Sequence, residues 1–278
     1  MAFSHSITLS SFLHIEETYK TLEKLAAIGF NQLEMFGEPD EANLKHMYDI
    51  LRSFDFKIIG VTGMWGPISP LGWKRRLLSD DVTFKKYSED YVIKCIDMCN
   101  YFGGNKINIC LFSDPIYSFD VTHRFISHGD KRKVLSKSFS ALNRLANRSK
   151  EHEIDLLLEP LNRYSTPYCS NLEDALFVIT SCENLGIMLD TYHMNIEEDS
   201  FEDTISKSKD FLKHLHFADN NRKMPGFGHI DFEQILAALK GISYSGTTSF
   251  EPNITNVDYQ KDLFLGKKFL ENIELGYT

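Results

Sequence analysis

Four side chains able to bind a metal ion stand at the ends of short apolar runs: Glu159 in LLLEP, Asp190 in IMLDT, His216 between Leu215 and Phe217, and Glu251 in TSFEP. A carboxylate directly after an apolar run is costly to bury unless it is paired or liganded. Three carboxylates and one imidazole make a mostly hard, oxygen-rich set that leaves coordination positions for substrate oxygens. Mn²⁺ suits it best, with Mg²⁺, Co²⁺ and Zn²⁺ as alternatives. Taken singly, each residue has a plainer reading: Asp190 could cap the turn that follows it, and His216 could be a satisfied core histidine. His214 is a rival ligand, because alternation along a strand puts it on the same face as His216.

The spacing speaks for the set. Intervals of 31, 26 and 35 residues separate the four positions, and each is the length of one strand–helix unit. Four consecutive parallel strands would therefore carry them to one end of a barrel. Eight β-branched or apolar runs alternate along the chain with segments of helical period, near Ser6–Ser10, Gln32–Phe36, Ile58–Thr62, Lys106–Leu111, Asp155–Glu159, Gly186–Asp190, Leu212–Phe217 and Gly246–Phe250. This pattern predicts an α/β fold, a (β/α)₈ TIM barrel forming a single domain over residues 1–278. Helices are expected over Ile15–Ile28, closed by Gly29, and over about Tyr259–Ile273 at the end of the chain. Two connections, Gly63–Asp81 and Ser113–Asp130, exceed an ordinary loop and would lie over the face that holds the four ligands.

Composition narrows the partners. With 42% hydrophobic residues the chain can bury a large core, and a net charge of −9 argues against nucleic acid, whose phosphates demand clustered Lys and Arg. No basic stretch leads into a long apolar segment at the N-terminus, and no run reaches the ~20 residues of a membrane span. Five cysteines without metal-finger spacing read as reduced thiols, so the expected setting is cytoplasmic, with no membrane association.

The runs EPLNRY from Glu159, LDTYHMNIEE from Leu189, HFADNNR from His216 and FEP from Phe250 resemble the motifs of the xylose-isomerase-like sugar isomerase/epimerase barrels, most closely the D-tagatose 3-epimerase and D-psicose 3-epimerase branch. The resemblance covers roughly the C-terminal half. It implies that Glu159, Asp190, His216 and Glu251 bind one divalent ion, that Glu159 and Glu251 also act as acid and base, and that His193 and Arg222 contact substrate oxygens. It further implies a small keto-sugar substrate and a homo-dimer or homo-tetramer. The stretch GFGHIDF from Gly226 matches the family's loop into a helix that Asp231 would cap. One position departs: the ketohexose epimerases carry a further glutamate six residues past the first ligand, where this chain has Ser165.

On this reading a metal held by the substrate carbonyl and its neighbouring hydroxyl acidifies the adjacent C–H bond, and an enediolate follows. Two glutamates on opposite sides would invert the carbon, whereas one base moving between two carbons would give aldose–ketose isomerisation. Trp65 and Phe36 are expected on the pocket wall, and Glu34 facing the pocket as a substrate contact. Three rivals stand beside it. A dehydratase of the inosose or dehydroshikimate type would use the same enolisation, and a non-catalytic sugar-binding barrel would not need two convergent glutamates. An endonuclease IV-type enzyme would need extra His and Asp ligands on the early strands, where Glu34 is the main candidate.

Overall fold

In the computed structural model, which describes residues 5–40, 43–115 and 128–276, eight parallel strands close into a barrel in sequence order. The strands are β1 (His5–Thr8), β2 (Gln32–Gly37), β3 (Lys57–Gly63), β4 (Lys106–Ile109), β5 (Asp155–Leu158), β6 (Leu185–Asp190), β7 (Leu212–Phe217) and β8 (Thr247–Phe250). Closure is made between β1 and β8, where Ile7 pairs with Phe250. Parallel strands covered on both faces read as continuous apolar runs, and Leu156, Leu157 and Leu158 of β5 are all fully buried.

Ten helices are described: α1 (Thr18–Ile28), α2 (Leu44–Ser53), α3 (Val82–Phe102), α4 (His128–Leu135), α5 (Phe139–Lys150), α6 (Leu172–Ile179), α7 (Thr191–Glu197), α8 (Phe201–Ser208), α9 (Phe232–Gly241) and α10 (Gln260–Leu275). Gly29 closes α1 at φ +89, a left-handed conformation that costs glycine nothing. Asp231 caps α9 by accepting from the Gln234 N–H at 3.0 Å.

Three expected elements differ, β4 among them, which stops at Ile109 rather than Leu111. The run to Ser10 stops being a strand at Thr8, because the Thr8 hydroxyl accepts from the Ser10 N–H and Leu9–Phe12 winds into a 3₁₀ turn. Helix α1 begins at Thr18 rather than Ile15, and its buried stripe is carried by Leu22 and Leu25, with Tyr19 exposed. The long connection after β3 is ordered by a buried ion pair: Arg75 donates to both oxygens of Glu38 and stacks 3.7 Å over Tyr91. Most of the Ser113–Asp130 connection lies outside the described residues.

The five cysteines are free, four of them buried, and burial pushes the Cys95 and Cys99 thiols up to about 12, which makes them poor nucleophiles. No helix among the described residues is long and apolar enough to cross a membrane.

Candidate metal and acid–base centre

The four sequence-predicted ligands all arrive at the C-terminal end of the barrel. Asp190 is the last residue of β6 and His216 the next-to-last of β7. Glu159 and Glu251 follow β5 and β8 directly, and their N–H groups still donate to the carbonyls of Ile109 and Phe217 on the neighbouring strands, at 2.9 and 3.1 Å. Ligand atoms of Asp190, His216 and Glu251 lie within 4.8 Å of one another, and so do those of Glu159, Asp190 and His193, so Asp190 joins two overlapping clusters. Asp190 also plays the plainer role: one oxygen caps α7 by accepting from the Tyr192 N–H at 2.7 Å, and the other accepts from Arg222 at 2.6 Å.

Burial and like charge set the protonation of the two glutamates. Burial, helped by the nearby charge of Glu251, pushes the Glu159 carboxyl up to about 8. Burial acts against ionising Glu251 as well, but His216 and Arg222 outweigh it and hold that carboxyl well below the usual range. Like charges confined in one dry site titrate as a pair, and these interactions favour the proton on Glu159 and the charge on Glu251. Burial also disfavours charge on His216, yet Glu251 and Glu34 raise it well above its ordinary value.

The donor set fits a divalent ion. His216 Nδ1 is fully buried and has no hydrogen-bond partner among the described residues, although it lies 3.3 Å from a Glu251 oxygen. An orphaned buried nitrogen is expensive, and a cation shared with the adjacent carboxylates would satisfy it. His193 is the weaker ligand of its cluster. The oxygen of Asn162 accepts from the Tyr164 and Ser165 N–H groups, so its amide nitrogen faces His193 Nδ1, at 2.7 Å. That uses the Nδ1 lone pair and leaves the ring proton on Nε2, so the 3.4 Å approach of Arg222 Nη2 to Nε2 is a contact between two donors and not a hydrogen bond. Burial pushes His193 down to about 4, so the ring is a neutral N–H donor at physiological pH.

Arg222 reaches the cluster from the loop after β7. Its Nη1 donates to Asp190 and, at 3.1 Å, to Glu251, and its guanidinium lies 4.5 Å over the Tyr192 ring. The residue sits at φ +59, held by its carbonyl, which accepts from the Asn253 N–H. Buried Asp219 gathers the rest of this loop by accepting from the N–H groups of Asn220, Gly226, Gly228 and Ile230. A Cβ at Gly228 would meet the Asp219 carboxylate at 2.2 Å. A cleft of about 220 Å³ opens beside Arg222 and Glu251, lined also by Ser10, Ser11, Ile68 and Asn253.

The structure places the other expected positions as follows. Trp65, expected on the pocket wall, is 1% exposed and packs edge-on against Tyr91 in the core. Its partner in that guess, Phe36, is half-buried against the core. Glu34, expected to face substrate, is 2% exposed inside the barrel with both oxygens hydrogen-bonded to protein. Ser165 lines a cavity of about 210 Å³ with Trp73, Phe112 and Tyr164, and Tyr164 projects outward at 71% exposure. Asn108 is a residue the sequence reading missed: its amide donates to Glu159 at 2.7 Å. Its position on β4, where alternate residues point inward, is the signal that could have found it.

The model of the xylose isomerase-like TIM barrel family matches residues 22–271. A D-psicose 3-epimerase of Agrobacterium fabrum is 34% identical over 234 residues, covering 83% of this chain and 78% of that protein. A ketose 3-epimerase of Arthrobacter globiformis is 34% identical over 204 residues, covering 71% and 68%. The fold of a D-allulose 3-epimerase from Methylomonas sp., solved in complex with D-allulose, superposes with a TM-score of 0.82 at 21% identity over 98% of this chain and 99% of that one. A closed eight-stranded barrel, ligand-type side chains at the ends of β5 to β8 and a family match along nine-tenths of the sequence agree, and this chain belongs to the xylose isomerase-like TIM barrel family.

Proposed function

We propose that the chain is a divalent-metal-dependent epimerase of a small ketose, with Glu159 and Glu251 exchanging a proton with the carbon next to the carbonyl. The observation that carries this reading is that Glu159 and Glu251 enter one site from the ends of β5 and β8, each clustered with Asp190, where burial raises one carboxyl and His216 and Arg222 lower the other. Such a pair provides an acid and a base at the same pH. The similarity to ketose 3-epimerases along more than two thirds of the chain supports the substrate class.

Glu159, Asp190, His216 and Glu251 would hold the ion, which supplies Lewis-acid polarisation of the carbonyl beside the reacting C–H bond. Ionised Glu251 removes the proton from that carbon, and Glu159 returns a proton to the opposite face, so the centre inverts. In the reverse direction the two exchange roles. The His193 Nε2–H and the Arg222 guanidinium donate to substrate oxygens as negative charge shifts onto them, without having to reorient. The cleft beside Arg222 and Glu251 is lined by the polar residues Ser10, Ser11 and Asn253, a lining suited to the remaining hydroxyls of a sugar.

A panel of ketopentoses and ketohexoses in D₂O, with added Mn²⁺, tests the reading. Deuterium should enter the carbon next to the carbonyl together with inversion there. Loss of water from the substrate would instead indicate a dehydratase, and no exchange into any ketose would indicate a sugar-binding barrel.

A further inference from the structure

The barrel interior directly beneath the proposed ion site holds a second cluster of ligand-type side chains, Glu34, His214 and His216, also within 4.8 Å of one another. Its hydrogen bonds show what it is built for. One Glu34 oxygen accepts from the Ser249 hydroxyl and lies 2.6 Å from His214 Nε2. The other accepts from Thr62 at 2.8 Å and lies 3.2 Å from His216 Nε2. His214 is held from its far side, with Nδ1 2.7 Å from the Thr247 hydroxyl. Strand register makes the arrangement: His214 pairs with Thr247 and His216 with Ser249 across β7 and β8, while Glu34 comes from β2, beyond β1 around the closed barrel.

We propose that Glu34 is a positioning residue for the ion site above it, fixing the His216 ring with its proton on Nε2 and its Nδ1 lone pair turned toward Asp190 and Glu251, and that Glu34, His214 and His216 are not a second ion site. A carboxylate only accepts, so Nε2, which Glu34 faces in hydrogen-bonding geometry at 3.2 Å, carries a proton, and a bound ion takes the place of any proton on Nδ1, which lies 3.3 Å from Glu251. That nitrogen is the one with no hydrogen bond in the structure. An ion between Glu34 and His214 would have to displace bonds already made on both, whereas an ion at His216 Nδ1 displaces none on that ring. Carboxylates set behind ligating histidines in this way orient the ring, and removing one costs metal affinity. The inference rests on the reading that His216 binds the ion, which the test examines separately.

The test uses the full chain stripped with EDTA. Mn²⁺ titration followed by the electron paramagnetic signal of the free ion gives stoichiometry and affinity. Nitrogen-15 spectra of the histidine-labelled, Zn²⁺-loaded chain show which His216 nitrogen binds metal. We expect one ion per chain, coordination through Nδ1 with Nε2 protonated, and an affinity lowered about 10–100-fold in Glu34→Gln, whose folding is checked by circular dichroism. Two ions per chain, coordination through Nε2, or unchanged affinity in a folded Glu34→Gln would overturn the proposal while leaving the upper site intact. Absence of ion binding by the unaltered chain would overturn the site reading and this inference together. Should Glu34→Gln fail to fold, Ser249→Ala, which removes one of Glu34's anchors, takes its place with a smaller loss expected, and unchanged affinity there together with Nε2 coordination overturns the proposal.

Discussion

Replacing Glu159 by Gln should separate proton removal from proton return. Below about pH 8 the Glu159 carboxyl is already neutral in the metal-free protein, so Gln removes no charge from the interior. Its carbonyl oxygen can still accept the hydrogen bond that Asn108 donates, and the fold should survive the change. What disappears is the transferable proton. A positioned acid or base contributes roughly 10²–10⁴-fold to rate, equivalent to about 3–5 kcal/mol of barrier. Inversion should fall by that factor, while Glu251, still ionised and still paired with Arg222, continues to remove the proton from carbon. The assay follows a ketose carrying deuterium on the carbon next to the carbonyl, with saturating Mn²⁺ and the bound ion quantified. Loss of label to water is read by NMR and epimer formation by chromatography of the same samples. In Glu159→Gln, label loss should stay within about tenfold of the unaltered chain while inversion collapses, and in Glu251→Gln both should collapse. An equal fall of label loss and inversion in Glu159→Gln, with bound metal unchanged, would refute the division of roles.

Stability should report the same electrostatics. Because the Glu159 carboxyl is raised to about 8 in the fold, its stabilising contribution is complete below its unfolded value and is lost as pH rises through the folded one. At about 1.4 kcal/mol per unit the metal-free chain should lose a few kcal/mol between roughly pH 5 and 9, and urea midpoints should show a slope that Glu159→Gln flattens. His193, lowered to about 4, acts in the opposite sense: its contribution is present above the ordinary histidine value and fades as pH falls toward 4, an acid limb that His193→Gln should remove from the same titration. Asp231→Ala removes the cap of α9 and should cost about 1 kcal/mol, a fall of about 2–4 °C in Tm by calorimetry. Ser165→Glu places a carboxylate where the ketohexose epimerases carry one and should lower KM for a ketohexose; an unchanged KM would show that the cavity at Ser165 does not receive the sugar.

The barrel and the convergence of the four ligand-type side chains were legible because both depend on period and position. An acidic residue immediately after a buried parallel strand has one place to go, the C-terminal rim, and Glu159 and Glu251 went there. Depth was not legible. Glu34 and His216 both point into the barrel by alternation, but the sequence does not say that β2 contributes its carboxylate one layer below the site, because that depends on barrel closure and strand stagger. Trp65 comes two residues after β3 and reads as a pocket aromatic, yet the chain turns it back against Tyr91. Asn108 escaped notice because an uncharged amide in a four-residue strand carries no signal until its partner, Glu159, is in view. Asp219 was quoted within a motif, but its work on the loop is done with backbone N–H groups spread over the following eleven residues, which no side-chain pattern announces.

Anomalous diffraction from a crystal grown with Mn²⁺ addresses the heart of the account. A single peak within bonding distance of Glu159, Asp190, His216 and Glu251 is the predicted result. A peak between Glu34 and His214, or none near the ends of β5 to β8, would contradict it.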